Sequence, residues 1–385
     1  GLRRVDRVLD AELALGHLGL GGRADVDHGN AAGQLRDALI ELLAIPVRRR
    51  LLDLTLELRD ARLHVVGIPL RTRFRRTTVR EVALLEGPTG WGEFGPFPEY
   101  GPQEASRWLG AAIDAAWGSP APSLRAEVPV NATVPAVAAA DVLPVLARFD
   151  GCTTAKVKVA EPGQRLRDDV ERVAAVRRHL GRDARIRVDA NGGWSLAQAR
   201  DAVAALAPFD LEYVEQPCAD VEDLARLRVA LAGAGLDVRV AADESIRRAE
   251  DPLRVARLEA ADVVVVKVAP LGGVARALQV VADCGLPAVV SSALDTSIGI
   301  AAGVRLAAAL PDLPFACGLG TVELFTGDVV ADSLVAHDGV IDVARAAGVA
   351  ATPDLLDRWR VDPERERWWR ERTTAAHGVL TAGTA

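Results

Sequence analysis

Residues 185–191 read Arg185-Ile186-Arg187-Val188-Asp189-Ala190-Asn191. Apolar and polar side chains alternate with the period of a β-strand, so Arg187, Asp189 and Asn191 share one face. With Asp189 facing inward at the strand's end, Arg187 lies one layer beneath it. The segments on either side repeat the plan. Residues 154–160 carry Lys156 and Lys158, again two apart and on one face. Residues 211–216 end near Glu215, 238–243 on Asp243, and 261–268 near Lys267; 288–292 end on Ser291 and Ser292. Runs at 128–134 and 314–318 complete a set of eight.

Helical stretches such as 163–180 and 195–207 separate most of these runs, which is the alternation of an α/β protein. From Lys158 onward, equivalent points recur at Asp189, Glu215, Asp243, Lys267, Ser291 and Gly318, every 24–31 residues. Eight units of near-constant length favour a closed (β/α)8 TIM barrel over an open doubly wound sheet, and place it at 126–320. Residues 59–125 read as an α+β capping domain. Its strands at 63–70, 78–86 and 90–94 form an antiparallel meander turning at Gly87-Pro88 and Gly95-Pro96, followed by an Ala-rich helix over 102–117. Residues 321–385 hold no further repeat and are expected to pack back on the capping domain. Residues 1–58 offer one helical face at 31–44, through Leu35, Leu39, Leu42 and Leu43, but no chemistry. They read as an extension that is poorly ordered or not native to the fold.

Composition narrows the function. The chain has 385 residues, is 50% hydrophobic and 26% charged, and carries a net charge of −7. That balance is ordinary for a globular protein and disfavours a nucleic-acid partner, which selects a basic face. No run of 18 uncharged apolar residues is present, so no membrane span is expected. Asp6, Asp10, Glu12 and His17 interrupt any signal-like apolar core. Four scattered cysteines without a C-x-x-C pair read as reduced thiols of a cytoplasmic protein. The oligomeric state is left at monomer or homodimer.

Against 43 arginines there are three lysines, Lys156, Lys158 and Lys267, all at the ends of β-like runs. Codon bias explains the scarcity but not the shared position. Arg holds a charge as well as Lys does, but only Lys gives up its proton near neutral pH. Barrel active sites lie at the C-terminal ends of the strands. Three successive strands there end in Asp189, Glu215 and Asp243. One such acid is most simply a helix cap or an Arg partner. Three converging acids repel one another, and a hard divalent cation, Mg²⁺ or Mn²⁺, resolves the repulsion. Such a cation lowers the pKa of neighbouring lysines, as a general base requires, and stabilises the enediolate formed when a bound carboxylate loses its α-proton. Lys158 and Lys267 would face each other across that carboxylate. For Lys156, which lies deeper, a plain salt bridge is the competing account.

The ordered set Lys156-x-Lys158, Asp189-x-Asn191, Glu215-Gln216-Pro217, Asp243-Glu244-Ser245 and Lys267 resembles the enolase superfamily, in its muconate-lactonising subgroup. The likeness covers residues 60–370. It implies a modified barrel with an α+β cap (enolase-like), and Mg²⁺ held by Asp189, Glu215 and Asp243. Within the subgroup, residues 62–66, 69–75, 80–84, 90–100 (Gly-Trp-Gly-Glu-Phe-Gly-Pro-Phe-Pro-Glu-Tyr) and 291–299 are similar to the o-succinylbenzoate synthase family. That resemblance implies a lyase of menaquinone biosynthesis, dehydrating 2-succinyl-6-hydroxy-2,4-cyclohexadiene-1-carboxylate to 2-succinylbenzoate by syn elimination. Lys158 is then the base and Lys267 an electrostatic partner on the opposite face. Lys156, Arg187, Asn191, Ser291 and Ser292 are the substrate-binding candidates. With Arg187, arginines among Arg71, Arg73 and Arg75 of the cap are candidates for the substrate's two negative charges, with a simple solvated role as the competing account.

Two alternatives stand beside it. An N-acylamino acid racemase or dipeptide epimerase would use both lysines as bases. The acid-free run Cys317-Gly318-Leu319-Gly320-Thr321, where such epimerases usually show an Asp pair, counts against the second of these. A non-catalytic barrel would have to carry six buried ionisable groups to no purpose, which is costly.

Overall fold

A computed structural model describes residues 62–382 apart from 76 and 249–250. The expectations for residues 1–58 lie outside the described residues.

The capping meander comprises β1 (Leu63–Phe74), β2 (Thr77–Gly87) and β3 (Gly90–Phe94), antiparallel in the order β1-β2-β3. β1 pairs with β2 from Leu63↔Leu85 to Pro69↔Val79 and shifts register before Phe74↔Thr77, where the hairpin reaches toward the barrel. The helix Pro102–Trp117 starts with Pro at its first position, where a missing N–H costs nothing. It buries Trp108, Leu109 and Ile113 and lies so close to β3 that a Cβ on Gly92 would stand 1.9 Å from the Ala112 carbonyl oxygen.

The barrel sheet runs β5 (Ala132–Val134), β6 (Thr154–Lys158), β7 (Arg185–Asp189), β8 (Leu211–Glu215), β9 (Val240–Ala242), β10 (Val263–Val266) and β11 (Ala288–Val290), all neighbours parallel. Its strands are short and rich in Val, as expected where both faces are covered. Tyr213, Ala241, Val263, Val265, Val289 and Phe315 fill part of the core.

Two details depart from the sequence expectation. The run at 128–134 is two strands, not one. β4 (Glu127–Pro129) pairs antiparallel with β12 (Val340–Asp342), and only β5 joins the barrel. The run at 314–318 is not a strand but a pair of bridges. Cys317 exchanges hydrogen bonds with Pro129 O and Asn131 N (2.6 and 2.9 Å), and Gly318 with Val290 O and Ser292 N (2.8 and 3.0 Å). This stretch spans the gap between β11 and the β4–β5 edge. Gly318 suits it because a Cβ there would stand 2.5 Å from Ser291 Oγ.

The final helix, Pro363–Ala382, packs on the cap. Trp369 is fully buried, edge-on to Phe94 at 5.8 Å, and donates Nε1–H to Glu81 (2.8 Å). Cap and barrel are fastened across long sequence separations. Arg80 donates to the Leu294 carbonyl (2.9 Å), and Glu93 accepts from Thr296 N (3.1 Å), Thr296 Oγ1 (2.5 Å) and Gly299 N (3.1 Å). The last three contacts seat the Glu93 carboxyl at the N-terminus of the helix Ser297–Ala309, where backbone N–H groups lack partners within the helix.

Candidate active site

Strand pairing brings the titratable residues together. Lys158 and Asp189 are direct partners on β6 and β7, and Asp189 and Glu215 on β7 and β8. Asp243 follows β9 directly, and Lys267 follows β10 directly. The result is a row of three carboxylates with Lys158 and Lys267 at its ends and Lys156 bridging two of them. Lys158 Nζ lies 2.5 Å from Asp189 Oδ2 and Lys156 Nζ 3.2 Å from the same oxygen. Lys156 Nζ also lies 2.9 Å from Glu215 Oε1, and Lys267 Nζ 2.6 Å from Asp243 Oδ2.

The electrostatics differ for each lysine. Burial opposes charge on Lys156, but Glu215 and Asp189 outweigh it and hold its pKa above the usual lysine range. For Lys158, burial dominates, aided by repulsion from Lys156, and its pKa falls despite Asp189. Lys267 is likewise lowered by burial, with Arg247 adding repulsion against the pull of Asp243. Glu215 is pushed up to about 7 by burial and by the charge of Asp189. Asp189 and Asp243 are buried too, but the lysines, with Arg247 beside Asp243, hold both below the usual carboxylate range. Pairs of like groups driven apart in pKa mark a site built for proton transfer.

Among the described residues, no three His, Cys, Asp or Glu side chains are drawn together as a metal cluster; the carboxylates turn to the lysines instead. The donor chemistry nonetheless suits a hard cation. All three acids offer oxygen only, and Glu215 Oε2 is buried with no hydrogen-bond partner.

A narrow cavity opens over this row, with Lys156, Lys158, Asn191, Lys267, Ser291 and Ser292 in its wall. Asn191 takes a left-handed backbone (φ 46°) and accepts from Lys158 Nζ at 2.7 Å. Ser292 Oγ donates to the Gly318 carbonyl (2.8 Å), and Ser291 Oγ lies 3.5 Å from it.

Arg187 needs correction as a substrate-binding candidate. It is fully buried below Asp189, donating to Glu212 (2.5 Å), Asn131 Oδ1 (3.1 Å) and Ala316 O (2.6 Å). Tyr213 and Phe315 face its guanidinium at 4.9 and 5.7 Å. Its Nε and NH1 donors are turned to protein partners in the barrel's core, while NH2 is buried without a partner. Of the cap arginines, Arg73 and Arg75 border the cleft beside Lys158. Sequence reasoning passed over Phe74, whose ring stands 5.3 Å from Lys158 Nζ, and Thr133, whose buried Oγ1 has no partner. It also passed over Arg247. The first two carry no local motif; their roles depend on strands brought together only by the fold.

Residues 140–357 match the enolase C-terminal domain-like family, and residues 65–116 the enolase N-terminal domain-like family. The chain is 56% identical over 309 residues to an o-succinylbenzoate synthase of Mycolicibacterium smegmatis, covering 80% of this chain and 92% of that protein. It is 55% identical over 311 residues to that of Mycobacterium tuberculosis, covering 80% and 91%. Among solved structures, the fold is shared with a muconate lactonizing enzyme from Pseudomonas fluorescens (TM-score 0.66, 20% identity, 78% of this chain and 98% of that one). It is shared also with an N-succinyl Arg/Lys racemase from Bacillus cereus (TM-score 0.64, 21% identity, 78% and 97%). With its lysines and three carboxylates at the strand ends of a capped barrel, the chain belongs to the o-succinylbenzoate synthase family of the enolase superfamily.

Proposed function

We propose that the chain is a hydro-lyase converting 2-succinyl-6-hydroxy-2,4-cyclohexadiene-1-carboxylate to 2-succinylbenzoate, with Asp189, Glu215 and Asp243 as ligands of Mg²⁺ or Mn²⁺. The observation that carries this reading is the position of Lys158, partly buried, and Lys267, buried, at the two ends of a row of three carboxylates, both with lowered pKa. A divalent cation bound by those acids supplies positive charge to the substrate carboxylate, which makes its α-proton removable.

The chain's own residues do the rest. Lys158, whose pKa burial lowers, takes the α-proton at Nζ, and Asn191 Oδ1 orients the resulting ammonium. The electrons move to the carboxylate as an enediolate, then expel the ring hydroxyl. Lys158 returns its proton to the departing oxygen, so water leaves and the ring becomes aromatic. A single lysine serves both steps because the proton and hydroxyl leave from one face. Lys267 stabilises the negative charge from the opposite face, and Lys156 holds Asp189 and Glu215 in place. Ser291 and Ser292 are assigned to the substrate wall of the cavity. A cytoplasmic location belongs to the same reading, supported by four buried free cysteines. No helix among the described residues is long and apolar enough to cross a membrane.

The test is a coupled assay that generates the unstable substrate in place and follows 2-succinylbenzoate, with and without EDTA. Product that forms, and that EDTA abolishes and Mg²⁺ restores, supports the reading. No product, or product indifferent to EDTA, sinks it.

A further inference from the structure

The Phe-Pro-Glu-Tyr stretch at 97–100 was singled out in the sequence, yet it contributes nothing to the row of lysines and acids. Its place in the structure is specific. Arg372 of the last helix donates to the Phe97 carbonyl (2.6 Å) and the Tyr100 carbonyl (2.8 Å). Arg75 and Arg80 each stand 4.5 Å from the Phe97 ring. So held, Tyr100 turns its hydroxyl to Arg247, which donates NH1 to it at 3.0 Å across 147 residues of sequence.

Arg247 is 2% exposed and ends the one-turn helix that follows Asp243. Its other donors reach two acids. Nε donates to Asp243 Oδ1 (3.0 Å) and NH2 to Glu244 Oε1 (2.5 Å). Beyond Asp243, the second carboxylate oxygen holds Lys267 Nζ. Beyond Glu244, the same Oε1 accepts Asn191 Nδ2 at 3.2 Å, and Asn191 Oδ1 accepts Lys158 Nζ. One unbroken chain therefore runs Lys267–Asp243–Arg247–Glu244–Asn191–Lys158.

We propose that Arg247 is a positioning residue that sets the two active-site lysines relative to each other, and that Tyr100 is the capping domain's hold on it. This rests on the lysine roles proposed above. Both amines must stand within reach of one substrate carbon, and small displacements of such groups cost rate heavily. The planar guanidinium fixes three acceptors in one fork; an ammonium at the same place presents no such plane. The cap thereby contributes to the chemistry without touching substrate at this point. A protein with a misdocked cap would lose alignment of its lysines as well as its lid.

The experiment uses the full chain with three readouts: kcat, KM and Mn²⁺ affinity by electron paramagnetic resonance. Tyr100→Phe removes one hydroxyl and little packing. It is expected to lower kcat about tenfold, with KM within about twofold, the scale of one lost hydrogen bond to a charged group. Arg247→Lys keeps the charge and loses the fork; it is expected to weaken Mn²⁺ about tenfold through the loosened Asp243 and to lower kcat further. Wild-type kcat in Tyr100→Phe, or wild-type Mn²⁺ affinity in a folded Arg247→Lys, overturns the proposal. If Arg247→Lys does not fold, Tyr100→Phe decides alone. If the wild-type protein makes no 2-succinylbenzoate, the functional reading fails, and Mn²⁺ affinity in Arg247→Lys still decides this one.

Discussion

Lys158 Nζ lies 2.5 Å from Asp189 Oδ2, and the two residues are direct register partners on adjacent strands. The proposed base is thus built into the same backbone ladder as a proposed metal ligand, so its place does not depend on a mobile loop. Removing the amine should leave the acids where they are. Lys158→Ala is expected to lower kcat by at least about 10³, within the range for a lost general base, while Mn²⁺ still binds. Initial rates and Mn²⁺ titration check both halves. Residual activity within about tenfold of wild type would assign the base elsewhere.

Burial lowers Lys158 below its ordinary value of 10.5, and Lys156 adds to the shift. A base works unprotonated, so kcat/KM should rise with pH and level off below 10.5, with the ascending limb set by this group. The Phe74 ring stands 5.3 Å from the amine and places apolar surface beside it. Phe74→Ala should admit water, weaken the desolvation and move the limb upward. A pH–rate profile for each protein measures this; superimposable limbs would show that Phe74 does not tune the base.

Lys267 pairs with Asp243 at 2.6 Å, on the far side of the row from Lys158. A dehydratase asks only for its charge, whereas a racemase of the same fold asks it to carry a proton. Arg keeps the charge and cannot release its proton near neutrality. Lys267→Arg is therefore expected to retain measurable dehydration, down about 10²-fold because the longer side chain disturbs Asp243. Complete loss, with Mn²⁺ binding intact, would assign Lys267 a proton-transfer role. The readout is product formation at saturating Mg²⁺.

The row was legible because strand chemistry is local. The i, i+2 spacing of Lys156 and Lys158 predicts one shared face, and both do reach Asp189 Oδ2. Acids at the ends of successive strands become neighbours through parallel register alone. What escaped the sequence lies in long-range closure. The stretch at 314–318 carries strand-like residues, yet it contributes only bridges, because its neighbours on both sides dictate where it can pair. Val130-Asn131 divides an apparently continuous run because β12, more than 200 residues on, captures its first half. The Glu93–Thr296 contact spans 203 residues and leaves no periodic trace. Arg187 has the spacing of a site residue but sits one layer too deep, with partners of its own.

The Glu93 contact predicts how the cap's attachment responds to pH. Glu93 is pushed up to about 8, first by burial and then by the charge of Asp295, with the hydrogen bonds from Thr296 and Gly299 and the charge of Arg80 opposing. An acid with a raised folded-state pKa keeps a proton that the unfolded chain releases above about 4.5, its ordinary value. The native state then binds more protons, so stability is greatest below that value and declines as pH rises toward 8. Glu93→Gln keeps an acceptor for the Thr296 and Gly299 N–H groups but has no proton to lose. Thermal melts from pH 5 to 8.5 should show wild-type Tm falling across the range and the variant falling less, since one proton-linked group has been removed. The two proteins should differ least at pH 5, where Glu93 is protonated in the folded state. Parallel curves would show that Glu93 stays ionised when folded, and that Arg80 and the helix N-terminus outweigh its burial.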